Sequence, residues 1–141
     1  MAPSGPVSPS ISARIIHAAL VLGVLMFWLV AWYLGQSSAV PADALPDRKV
    51  LYVALALVSA TLFGGAMFTA ARLGPIRSGT SQDDWWRDNL GRAIVIWSLV
   101  EAPSLLGLVA YTLTRDFRTL IATFIGLLFF GSYRPSRLIE R

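Results

Sequence analysis

Glu101 is the only charged side chain in the apolar run Ala93–Thr114, and it lies eight residues inside that run. Placing a charged carboxylate at the centre of a bilayer costs roughly 2.5–3.5 kcal/mol on insertion scales. A chain that keeps one there needs a buried partner for it, a proton for it to carry, or a subunit for it to meet. Positions three and four apart share a helix face, so Ser98, Glu101, Ser104, Leu105 and Leu108 are expected to form one stripe directed at other protein. Pro103 has no amide to give the Leu99 carbonyl, which loosens the turn carrying Glu101.

Depth matching suggests what Glu101 meets. At its level the second apolar run offers Leu62 and Phe63, within a turn of Ser59, Thr61 and Gly64-Gly65; the first offers Gly23 and the fourth Ile125-Gly126. Ala60-x-x-x-Gly64 and Ala122-x-x-x-Gly126 have the small-x-x-x-small spacing that lets membrane helices approach closely. Ser59 or Thr61 is expected to hydrogen-bond the protonated acid. With no basic residue at this depth, desolvation favours a neutral carboxyl at pH 7. A structural buried acid ranks first among its roles, then a proton- or ligand-linked site, then a subunit contact.

Other chemistry finds little footing. His17 is the sole histidine, and a metal site needs several convergent ligands, so we expect it to bond a headgroup or a carbonyl near a helix end. The chain has no cysteine, which removes disulfides, thiol catalysis and thiolate-bound metals. Ser98 and Ser104 have no neighbouring base, no glycine-rich phosphate loop is present, and Asp83-Asp84 is best read as helix capping. We therefore expect no enzyme, no cofactor and no metal.

The elements that would position Glu101 follow from hydropathy. The 141 residues are 55% hydrophobic and 14% charged, with a mean hydropathy of +0.62. Apolar runs cover about 15–34, 50–71, 93–114 and 117–133. The first three reach the roughly 20 residues that span a hydrocarbon core, and the fourth is near the lower limit. Lipid offers no partner for a bare amide, so each run must be helical. The expected fold is an all-α integral membrane four-helix bundle over 14–141, preceded by a disordered tail over 1–13 rich in Pro, Ser and Ala. At 20 residues the first run exceeds a signal-peptide core of about 7–15, so an uncleaved helix is expected despite Ala42-Asp43-Ala44 downstream.

Charge sets the orientation. Arg14, Arg72, Arg77, Arg87, Arg92, Arg134, Arg137 and Arg141 fall on one side, against Arg48, Lys49, Arg115 and Arg118 on the other. The excess of basic residues predicts cytoplasmic N and C termini. These arginines are spread over three segments without a base-stacking module, so the partners expected are the lipid bilayer and other membrane subunits or a second copy, and no nucleic acid. Trp32, Tyr33, Tyr52 and Tyr111 would mark the outer interface, and Trp85, Trp86 and Tyr133 the inner one. Ser81-Gln82-Asp83-Asp84 reads as a helix start. It opens a short interfacial helix over 82–90 whose tryptophans dip into the headgroups and which leads into the third span.

Two segments carry a resemblance. The run from Ile96 to Thr114, with Trp97, Glu101, Gly107 and Tyr111, resembles the third span of a family of small four-helix bacterial membrane proteins without an assigned function. The ending Tyr133-Arg134-Pro135-Ser136-Arg137-Leu138-Ile139 is similar to the family's closing R-P-[ST]-x-x-R-L-I. The resemblance implies a family placement and no activity. Leu99-Val100-Glu101-Ala102 and Gly107-Leu108-Val109 also look like the carboxyl-bearing helix of rotary ATP synthase c subunits, which implies that Glu101 is a proton-binding carboxyl. The chain departs from c subunits in having four apolar runs against their two, no glycine ladder, and no polar-loop Arg-Gln-Pro. The leading expectation is a non-enzymatic bacterial inner-membrane protein, a structural or accessory component of a membrane assembly. The alternative is a proton-linked protein, c-like or a small carrier, acting through Glu101.

Overall fold

The computed structural model describes residues 8–36 and 47–140. Four apolar helical segments and a short closing helix are built in chain order: α1 (Pro9–Gly35), α2 (Arg48–Ala71), α3 (Gln82–Thr114), α4 (Ile121–Ser132) and α5 (Pro135–Ile139). A 3-10 turn, Phe117–Leu120, leads directly into α4. Three helices, α1, α2 and α3, are long and apolar enough to cross a membrane, and the fourth apolar segment, Phe117–Ser132, is shorter. No strand occurs among the described residues.

Each start has a local cause. Ser8 caps α1 by accepting from the Ile11 amide, and Pro9 supplies a preset φ in the first turn, so helix replaces the expected tail over residues 9–13. Residues 1–7 of that tail lie outside the described residues. Asp47 caps α2 through the Lys49 amide at 2.9 Å. Ser81 accepts from the Asp84 amide at 3.1 Å, and Asp83 and Asp84 put negative charge where the α3 dipole favours it. The helix then runs through Gly91 without a break, so the segment over 82–90 is the first turns of a 33-residue helix. It ends at Arg115, whose φ of 58° is left-handed and turns the chain back toward α4.

α3 is the axis of the molecule. α1, α2 and the turn with α4 all pack on it, while α2 and α4 touch one another only sparingly. Half of the apolar stretch of α3 is buried, whereas α1 and α2 bury only narrow stripes, Ala13, Val24 and Ala31 on one and Ser59, Phe63, Ala66 and Ala70 on the other. Their remaining faces point outward with Leu22, Met26, Leu29, Leu57 and Phe68 bare. Contiguous apolar surface of that kind is what lipid or another subunit covers.

Two contacts fix the bundle. Between α3 and α4 the backbones nearly touch. A methyl group at Gly126 would stand 1.8 Å from Ser104 Oγ, and one at Gly107 would stand 2.7 Å from the Thr119 carbonyl. Thr123 Oγ1 spans the same seam, donating to the Ser104 carbonyl at 2.7 Å. At the other end an aromatic knot joins α1, α3 and α4. Trp97 is fully buried and donates Nε1–H to the Tyr133 carbonyl at 2.8 Å, with Trp86 beside it at 6.2 Å between ring centroids. Trp85 donates to the Gly74 carbonyl at 3.0 Å. Trp85, Trp86 and Tyr133 are thus core residues and not the expected interfacial anchors, because their rings fill the end of the bundle and the Trp85 N–H is taken up by the Gly74 carbonyl.

Candidate functional site

Glu101 lies on the flank of α3 that meets α1. Its Oε1 stands opposite Gly23, where an added Cβ would come within 3.8 Å, so the absence of a side chain at Gly23 leaves room for the carboxyl. The first-helix level expected for it, Gly23, is the level it occupies. The carboxyl is only partly buried, and among the described residues no ion pair and no hydrogen bond reaches it.

The expected stripe does not hold together. Each step of three residues turns a helix by about −60°, so Ser98 and Ser104 end some 120° apart around α3. Ser98 is exposed. Ser104 is fully buried against α4, where its hydroxyl donates to the Val100 carbonyl at 2.8 Å and its own carbonyl accepts from Thr123. Pro103, also buried, lies toward the core one residue before it. Glu101 sits between the two serines in angle and meets neither by hydrogen bond.

Nor do the α2 hydroxyls reach it. Thr61 is exposed and donates back to the Leu57 carbonyl at 2.9 Å, as a hydroxyl in an apolar helix does when no other acceptor is near. Ser59 is buried at 7% exposure, yet its Oγ has no hydrogen-bond partner among the described residues. It lines a groove between α2 and α4, away from the α1 seam. Of the six expected site residues, Ser98 and Glu101 alone share an accessible edge. That edge continues along α3 through Ala102, Leu106 and Val109, which helical spacing places on one side and which are exposed or half-buried.

The small-residue pairs divide their work. Ala122 and Gly126 face inward and carry the α3–α4 contact. Ala60 and Gly64 face outward, with no atom within 4 Å of the space a Gly64 side chain would fill.

His17 takes the carbonyl role expected of it. Nε2 donates to the Phe130 carbonyl at 3.1 Å, and the ring meets Trp97 and Phe130 edge-on at 5.2 and 5.7 Å. Among the described residues no group of three metal-ligating side chains converges.

Two polar ties at the helix ends were not visible in the spacing of residues. Asp83 accepts from Ser8 Oγ at 3.1 Å and from the Ser10 amide at 3.3 Å, joining the start of α1 to the start of α3. The Ser10 hydroxyl foremost, then the Ser8 hydroxyl and the Ser10 amide, hold its carboxyl below the usual aspartate range. Asp116 is depressed in the same way, chiefly by the Tyr52 hydroxyl that donates to it, then by the Arg118 amide. That pair ties the start of α2 to the turn between α3 and α4. The clue in each case was an aspartate beside a helix start, which signals a cap but not a long-range partner.

No family model, no curated protein and no solved structure matches the chain.

Proposed function

We propose that this chain is a non-enzymatic, multi-pass protein of the bacterial inner membrane, with cytoplasmic termini, that serves as an accessory subunit of a membrane assembly. The observation that supports this is Glu101 itself. A carboxyl half-way along an apolar helix, without a partner among the described residues and half-open beside Ser98 and Ala102, calls for a donor from outside. The neighbouring helix would supply a hydroxyl, an amide or a backbone group at the level of Gly23.

The test is native mass spectrometry of the protein released gently from its own membrane. A complex with foreign subunits at fixed ratio supports the reading; a bare monomer contradicts it.

The same half-open carboxyl favours a second reading, proton uptake and release at Glu101, as its likeness to c subunits implies. Glu101→Gln separates the two, because glutamine resembles the protonated acid. As an accessory contact, Gln should keep the complex together and Leu should weaken it by about 5- to 30-fold, the worth of one membrane hydrogen bond of roughly 1–2 kcal/mol. As a proton site, Gln should assemble normally and lack proton-linked activity.

A further inference from the structure

The groove between α2 and α4 has a cavity volume of about 430 Å³, within the size range of ligand pockets of roughly 300–1,000 Å³. Its α2 wall is Leu55, Ala56, Ala60 and Phe63, and its α4 wall includes Ala122 and Ile125. Small side chains on both walls, Ala56, Ala60 and Ala122, leave the space between the two helices unfilled. The body is therefore mostly hydrocarbon, with Ser59 and Thr119 as its polar residues and Ser59 Oγ buried without a hydrogen-bond partner among the described residues.

The rim at the start of α2 is different. Tyr52 and Arg118 line it, and Arg48 lies within electrostatic reach of the same point, since both arginines act on Asp116. Asp116 is already engaged by the Tyr52 hydroxyl. Arg48 and Arg118 are exposed, and neither makes an ion pair among the described residues. Two cations face one committed carboxylate, so the rim carries surplus positive charge above an apolar slot. An occupant complementary to that arrangement has an anion at one end and hydrocarbon below it. A transmembrane helix would fill the slot but leave the two guanidinium groups unmatched.

We propose that this groove binds an anionic phospholipid, its phosphate held by Arg48 and Arg118 and one acyl chain lying between α2 and α4. Arginine suits the task because its planar fork meets phosphate oxygens in pairs. The site is separate from Glu101 and does not depend on the accessory reading.

The test uses the full chain in detergent, with thermal unfolding and native mass spectrometry in the presence of phosphatidylglycerol, phosphatidylcholine, or inorganic phosphate alone. We expect phosphatidylglycerol to raise the melting temperature by several degrees and to be retained at least fivefold over phosphatidylcholine, with free phosphate inert. The double variant Arg48→Gln/Arg118→Gln should lose the preference between lipids. Ala60→Phe should block retention of either lipid, and Ile121→Trp on the opposite wall serves if Ala60→Phe does not fold. Equal retention of the two lipids by the unaltered protein would overturn the proposal. So would a phosphatidylglycerol preference that survives removal of both arginines, stabilisation by inorganic phosphate alone, or a protein subunit crosslinked into the groove at Ala60.

Discussion

Trp97 shows how much one side chain can carry at the level of a single residue. Its ring fills the junction of α1, α3 and α4, and its N–H satisfies the Tyr133 carbonyl where α4 has ended. Phenylalanine would keep part of the ring packing but remove the N–H that the Tyr133 carbonyl accepts, a cost of about 1–3 kcal/mol. Trp97→Phe should therefore lower stability by at least that amount in detergent unfolding, whereas Trp32→Phe, at an exposed position, should be close to neutral. Glu101 is the converse case. Its charge and depth were plain from the sequence, yet its surroundings were not, because which flank of α3 faces α1 depends on how three other helices distribute themselves around it. Ser98 and Ser104 look like its companions at three-residue spacing, and the drift of the helix separates them.

Among the elements, the α3–α4 seam is set by space and the helix starts by charge. Gly126→Ala places a methyl group on Ser104 Oγ, so the backbones must part; we expect a loss of about 1–3 kcal/mol. Since the nearest obstruction is that hydroxyl, Ser104→Ala should recover part of the loss, which denaturant unfolding of the double variant would measure. Gly64→Ala, at a site with nothing near it, should be neutral in the isolated chain. The Asp83 tie predicts a pH dependence. Its carboxyl is held below its ordinary value of about 3.9, so the tie stabilises fully above that value and fades as pH falls through the lower folded one. The stability gap between the unaltered protein and Asp83→Ala should thus be constant near neutrality and shrink in acid below about pH 4. The group is only partly buried, so the gap is expected to be small. Although α1 and α3 start earlier than their apolar runs, the existence of the helices was legible because apolar runs and capping residues act locally. The tryptophan roles were not, since an aromatic residue near a span end reads equally as a lipid anchor or as a plug for the bundle, and only the positions of the Gly74 and Tyr133 carbonyls decide it.

Taken as a whole, the molecule is one buried helix dressed by three partly dressed ones. α3 is satisfied on the sides facing α4 and α2, and its open edge runs through Ser98, Ala102, Leu106 and Val109 beside Glu101. The groove with its basic rim lies on the other side of α2. The sequence carried the all-helical apolar architecture; it could not say which surfaces the helices leave open, because that follows from α3 taking the centre, and α3 has the most polar mix of the long helices. The proposed contact with another subunit runs along the Glu101 edge. The chain has no cysteine, so single substitutions report contacts cleanly. The decisive measurement is crosslinking in native membranes from Ser98→Cys and Ala102→Cys, with Leu29→Cys on the outward face of α1 as reference. We predict discrete protein adducts from positions 98 and 102 that are absent from 29; adducts at none of the three, or equally at all, would contradict the account.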